Sequence, residues 1–218
     1  MMLTMLWLLS VLMASVILAS SPSRGETNDQ VAVPSHKGLY FGYGSNLWRT
    51  QMEQRCPTSE FLGIARLDGY RWIINKRGYA NVVQFNLTDP HTGYPTNDTT
   101  DNDVVWGAVY YLNKQEEAKL DREEHVPWAY TKEYMPVKFW PKNTREPSIK
   151  DLPMLVYIDR KRVVPGKPRK EYLYRMNMAI RDALQERIPR KYVDKYLRKY
   201  IQEDWWRCDN PWRYPCNI

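Results

Sequence analysis

Hydrophobic and polar positions alternate in short blocks over most of this chain, and the blocks are strand-sized. Leu39–Tyr43 is a brief apolar run stopped by Gly44-Ser45-Asn46. LWRTQMEQR follows as a short helix candidate, ended at Cys56-Pro57. Three β-type runs come next, Phe61–Leu67, Tyr70–Asn75 and Ala80–Leu87, parted by Asp68-Gly69 and Lys76-Arg77-Gly78, both of turn composition. Asp103–Leu112 (DVVWGAVYYL) is the strongest strand pattern, and Asn113 then caps a helix over KQEEAKLDREE with Ala118 and Leu120 facing inward. Pro127 breaks it. Tyr130–Phe139 and Met154–Ile158 are two further strands.

From about 169 the period changes to helical. Leu173, Met176, Ile180 and Leu184 recur at helix spacing, Pro189 interrupts, and RKYVDKYLRKYIQ resumes. Six or seven strands, one central helix and a terminal helix pair give an α+β class, a closed or mixed antiparallel β-barrel or sheet with peripheral helices. A doubly wound nucleotide fold is disfavoured, because strands and helices do not alternate around a glycine-rich phosphate loop.

Composition changes the picture at the ends. The first twenty of the 218 residues carry no charged side chain, and polarity returns at SPSRGETNDQ. That is the pattern of a secretory signal peptide cleaved near Ala19 or Ser20, with an uncleaved membrane signal-anchor as the alternative. Residues 21–36 read as a polar linker, 37–204 as the domain, and 205–218 as a tail containing Trp and Cys. Asn86-Leu87-Thr88 and Asn97-Asp98-Thr99 are glycosylation sequons in a polar stretch. Three cysteines are too few for a disulfide scaffold; Cys208 and Cys216 can pair in the tail, leaving Cys56 buried or free. The net charge of +7 is a C-terminal property, since Arg160–Tyr200 holds fourteen Lys and Arg against four Asp and Glu. Those cations interleave with apolar positions, as on a solvated helix face, and an exported chain is a poor nucleic-acid partner.

Two segments can carry chemistry. In YFGYGSNL, a strand runs into a Gly-Ser-Asn turn whose successive N–H groups can form an anion site. In LDREEHVPWAY, Leu120 and Glu124 are four apart and share a helix face, so an inward Leu120 carries Glu124 toward the interior. Desolvation there raises a carboxyl pKa and suits it to general acid–base work. The competing readings are an ordinary strand–turn junction and two solvated glutamates. His36, His91 and His125 lack ligand spacing, so no metal is expected, and no Gly-x-Ser-x-Gly elbow marks a hydrolase serine.

Taken together with Gly78-Tyr79-Ala80-Asn81, with Val105, Gly107 and Tyr110, with Leu120-Asp121-x-x-Glu124, with Pro168 and Tyr172, and with Ile188-Pro189 and Tyr192, the Tyr43-Gly44-Ser45-Asn46-Leu47 loop resembles the gamma-glutamylcyclotransferase-like family over residues 39–201. Fungal branches of that family are the most similar. The resemblance implies intramolecular attack of a substrate's α-amine on its γ-carbonyl, releasing 5-oxoproline and a free amine, with no cofactor. It implies Glu124 as general base and acid, a small γ-glutamyl substrate held by Tyr43, Gly44, Ser45, Asn46 and Leu47, and pocket contributions from Asn81 and Tyr172. Backbone N–H groups of Ser45, Asn46 and Leu47 are the expected holders of its carboxylate or oxyanion. The usual family glycine after the glutamate is His125 here, and if that glycine adopts positive φ, His is among the residues that tolerate it better. The alternatives are an inactive secreted module binding carbohydrate or an anionic surface, and a member tailoring a γ-glutamyl secondary metabolite.

Overall fold

The computed structural model describes residues 38–84, 103–147 and 149–203, all within the unit Pro34–Ile218. The N-terminal apolar run, linker, His36, both sequons with Asn86 and Asn97, His91, Cys208 and Cys216 lie outside the described residues. Among the described residues no helix is long and apolar enough to cross a membrane.

In chain order the elements are β1 (Leu39–Gly42), a 3-10 turn (Ser45–Leu47), α1 (Arg49–Arg55), β2 (Glu60–Asp68), β3 (Arg71–Ile74), β4 (Ala80–Val83), β5 (Val104–Tyr111), α2 (Lys114–Glu123), β6 (Thr131–Pro141), β7 (Ile149–Ile158), α3 (Lys170–Gln185) and α4 (Arg190–Tyr192). Five strands close a barrel in the order β1-β5-β2-β6-β7, and β3 and β4 form a separate two-stranded sheet. Four of the barrel pairings are antiparallel. The barrel closes through a parallel contact of β1 with β7, Tyr40 opposite Leu155.

Burial separates the strands as their sequences do. β5 is buried from Val105 to Tyr110, so both of its faces are covered and it reads as a continuous apolar run. β6 alternates, with Met135, Val137 and Phe139 inward, as expected of a strand with one wet face. β2 carries a bulge between Phe61 and Gly63 where it pairs with β5.

Asn113 caps α2 through its side-chain oxygen, which accepts from the N–H groups of Gln115 and Glu116 at 2.9 Å each. The inward face of α2 is Glu116 and Leu120, while Ala118 is exposed. The i, i+4 partner of Leu120 therefore packs inward, and the apolar residue two positions away points out, contrary to the sequence expectation. On α3 the buried stripe is Tyr172, Met176, Ala179, Ile180 and Ala183; Leu173 and Leu184 flank it half-buried. The second terminal helix is shorter than its pattern implies. α4 has three residues and passes into a π turn, Val193–Leu197, and Tyr192, Val193, Tyr196 and Leu197 are all buried there. Tyr196 donates to Asp103 Oδ1 at 2.6 Å, tying that turn to the start of β5. Cys56 is free and buried, and burial pushes its thiol up to about 11.

Candidate active site

Glu124 is the residue on which α2 ends. Its N–H donates to the Leu120 carbonyl at 2.9 Å, and Leu120 is fully buried. That register turns the Glu124 carboxylate into a cavity of about 420 Å³, with 18% of the side chain exposed. The next residue, His125, reverses the chain at φ 54°, a conformation that His tolerates better than most side chains. His125 sits at the cavity wall with Nδ1 2.9 Å from the Glu123 carbonyl.

The Ser45–Leu47 turn supplies the opposite wall. It is held from outside by α3, where Asp182 accepts the Arg49 N–H at 3.0 Å and Glu186 pairs with the Arg49 guanidinium at 2.8 Å. Asn46 is its hub. Nδ2 donates to the Tyr40 hydroxyl at 2.7 Å and to Glu124 Oε1 at 3.3 Å, while Oδ1 accepts from Gln51 at 2.7 Å and Arg55 at 3.1 Å. Both amide protons and both oxygen lone pairs are thus engaged, which defines the amide orientation. Arg55 also reaches Glu124 Oε1 at 3.4 Å.

These partners favour the carboxylate, yet Glu124 titrates above the usual carboxylate range. Burial raises its pKa, and Arg55 and Asn46 only partly offset that. Around it stand the rings of Tyr40, Tyr43, Tyr130, Tyr157 and Tyr172, all held above the ordinary phenol range by burial. They are neutral hydrogen-bonding groups, and most spend their protons on the scaffold. Tyr43 donates to the Tyr157 carbonyl at 2.5 Å, Tyr157 to Asp121 at 2.7 Å and Tyr130 to the Ala80 carbonyl at 2.8 Å. Tyr172 and Tyr40 only accept: the Tyr172 oxygen takes the N–H groups of Ser45 at 3.2 Å and Ala80 at 3.4 Å, and the Tyr40 oxygen the Asn46 amide at 2.7 Å. Neither hydroxyl proton has an acceptor among the described residues, and both residues line the cavity.

Of the residues expected from sequence, Tyr43, Gly44, Ser45, Asn46, Glu124 and Tyr172 line this one cavity. Leu47 and Asn81 do not. Leu47 is buried in the core, and the Asn81 carboxamide bonds the backbone of Asp159, donating at 2.9 Å and accepting at 3.0 Å. Asn81 holds the wall from behind. The expected backbone cradle is also narrower than the turn suggests. The Ser45 N–H is spent on Tyr172 and the Leu47 N–H on the Gly44 carbonyl at 3.0 Å, so the Asn46 N–H is the one of the three left without a partner among the described residues. The sequence reading missed Arg55, Arg77, Tyr79, Arg169 and Arg175, all lining the cavity. Arg175 had a signal: it lies three residues after Tyr172 on α3, hence on the same face. Among the described residues no cluster of His, Cys, Asp and Glu could hold a metal.

Known proteins resemble this chain in sequence and in fold. Residues 104–196 match the AIG2-like family. A gamma-glutamylcyclotransferase of Bos taurus is 34% identical over 88 residues, which are 40% of this chain and 44% of the relative; the chain thus spans about half the length of the curated relatives it matches. A crystal structure of an uncharacterized Homo sapiens protein superposes with a TM-score of 0.55 at 25% identity, covering 77% of this chain and 89% of that one. A solved gamma-glutamyl cyclotransferase gives the same TM-score and coverage at 24% identity and so shares the fold.

Proposed function

We propose that this chain is a member of the AIG2-like/gamma-glutamylcyclotransferase family, which it resembles in part of its sequence and in fold, and that it cyclises a γ-glutamyl amide to 5-oxoproline and releases the free amine. One observation carries the reading: a single carboxylate of raised pKa, Glu124, faces a small cavity opposite the Asn46 turn. Nucleophile and electrophile arrive in one molecule, so positioning supplies much of the acceleration. The substrate's α-nitrogen forms a bond to its own δ-carbon, and the bond from that carbon to the leaving nitrogen breaks. Glu124 takes the proton lost by the α-nitrogen and delivers it to the leaving nitrogen, ending unchanged.

The Asn46 N–H, the Tyr172 and Tyr40 hydroxyls and the Arg175 guanidinium are donors available to the head group's carboxylate or to the oxyanion that develops on the carbonyl. Asn46 and Arg55 orient Glu124 and keep it ionised enough to act as a base. Tyr40, Tyr43 and Tyr130 exclude water around it.

Incubated with γ-glutamyl-alanine or glutathione, the purified protein is expected to release 5-oxoproline, measured by chromatography. Silence across a panel of γ-glutamyl amino acids, peptides and amines would leave the fold without the reaction, as a binding module. The uncharged N-terminal run supports a further proposal, that the chain enters the secretory route. N-terminal sequencing of protein recovered from culture medium is expected to begin at about residue 20 or 21; protein found only inside cells with Met1 intact would contradict it.

A further inference from the structure

A second cavity, of about 540 Å³, lies where the β2 bulge, the turn after β6 and the end of α3 meet, and it shares no lining residue with the cavity around Glu124. Its size is that of a small-ligand site. Trp140 of β6 and Trp106 of β5 form its aromatic floor. Their ring centroids are 4.8 Å apart at 41°, too close for anything to enter between them. Trp106 is buried and Trp140 half-buried, so a ligand must lie against the pair.

The charge on the walls is one-sided. The turn after β6 contributes Lys142 and Arg145, and the end of α3 contributes Arg187. Among the described residues none of the three has an ion pair or a side-chain hydrogen bond, and the one carboxylate of the walls, Glu186, is already paired with Arg49 at 2.8 Å. The amides of Asn143 and Gln185 stand beside them, equally uncommitted.

The walls are held in place without those side chains. The Lys142 N–H donates to the Leu62 carbonyl at 2.7 Å, and Thr144 gives the Pro141 carbonyl its N–H at 3.0 Å and its hydroxyl at 2.8 Å. Asn143 and Arg187 adopt φ of 67° and 69°, a left-handed conformation in which glycine costs least. The residue just past a helix end is often glycine for that reason; past α3 it is a cation that lines a cavity. Non-glycine residues held this way cluster at ligand sites, and His125 at the first cavity is another.

An aromatic floor rimmed by cations and amides suits a ring with one apolar face and an anionic edge. A pyranose offers C–H groups on its face and hydroxyls around its edge. Amide side chains can bond the hydroxyls, and guanidiniums can take a carboxylate or sulfate on the ring.

We propose that this cavity binds an acidic saccharide, a pyranose chain bearing carboxylates or sulfates, with a ring against Trp140 and its anionic groups on Lys142, Arg145 and Arg187. The site stands apart from the Glu124 cavity and does not rest on the cyclotransferase reading.

Calorimetric titration of the full chain with tetragalacturonate tests it. The methyl ester of that tetrasaccharide is the neutral control, and tetraglutamate is an anion without sugar rings. Tetragalacturonate is expected to bind with a dissociation constant of about 1 mM or lower, about tenfold or more tightly than either control, and more weakly as salt rises. Tryptophan fluorescence should change with tetragalacturonate and not with tetraglutamate. A keratan sulfate tetrasaccharide, which lacks carboxylates, shows whether sulfate serves as the anion; binding of neither acidic saccharide overturns the proposal. Lys142→Gln with Arg145→Gln, both exposed, should lower affinity about tenfold and leave the unfolding temperature unchanged. Arg187→Gly relieves the left-handed backbone, so it should raise the unfolding temperature while weakening binding about threefold. Equal affinity for tetraglutamate would reduce the binding to bare charge attraction, and undiminished affinity in these variants would put the saccharide elsewhere; either result overturns the site.

Discussion

Glu124→Gln is expected to lower kcat for 5-oxoproline release by a factor of about 10² to 10⁴, the usual contribution of a positioned acid–base group. The substitution is nearly isosteric, and its amide oxygen can still accept from Asn46 and Arg55 at the positions now held by Oε1. Loss of turnover would thus report the missing proton acceptor and not a collapsed site. The stability effect has a definite sign. Burial raises the Glu124 pKa in the folded chain, so the native state binds a proton more tightly than the unfolded one. That linkage lowers stability as pH rises from the ordinary glutamate value through the raised one, and above it the cost of the buried charge is fully present. At neutral pH the Gln variant should accordingly unfold at a temperature no lower than the parent. The same shift predicts that kcat/KM rises with pH along an acid limb centred above the ordinary glutamate value of about 4.3. Undiminished turnover in the Gln variant, or an acid limb at or below the ordinary value, would assign the proton transfer elsewhere.

Gly63→Ala is expected to cost about 3–5 kcal/mol of folding stability, the sum of a glycine-only backbone conformation and a steric overlap. Gly63 has φ +145°, and a methyl group there would stand 2.2 Å from the Trp140 carbonyl oxygen, 2.8 Å from the Lys142 nitrogen and 2.9 Å from the Pro141 carbonyl carbon. All three atoms are backbone, so no side chain can swing away. The Leu62 carbonyl accepts the Lys142 N–H at 2.7 Å beside it, and the shift would break that bond and the β2–β6 pairing through which the barrel continues. Gly69 is the control. It too has positive φ, +77°, but nothing lies within 4 Å of the added methyl; Gly69→Ala should cost about 1 kcal/mol from the backbone alone. Urea unfolding of the two variants checks the difference, and losses of equal size would mean that the bulge is not the constraint described.

Much of this was legible along the chain because local rules act locally. The Asn113 cap, the β5 run and the inward turn of Glu124 each follow from residues within one or two helical turns of each other. Leu120 alone gives the inward direction of Glu124, because four residues on a helix return to the same face, but only the family resemblance singled it out over two solvated glutamates. Asn81 failed for a complementary reason. Strand alternation says only that its side chain leaves one face of β4, and the contact that engages it, Asp159, is 78 residues away.

The sequence by itself therefore determined most of the elements, the family resemblance and the inward direction of Glu124. Tertiary structure decided the parallel closure of β1 on β7, the engagement of two of the three turn N–H groups by Tyr172 and Gly44, and the gathering of Arg77, Arg169 and Arg175 in one cavity. The physical reason is the range of the forces. Periodicity and capping are set by neighbours in sequence, whereas the charge balance and hydrogen-bond supply of a cavity depend on which distant segments the barrel brings together.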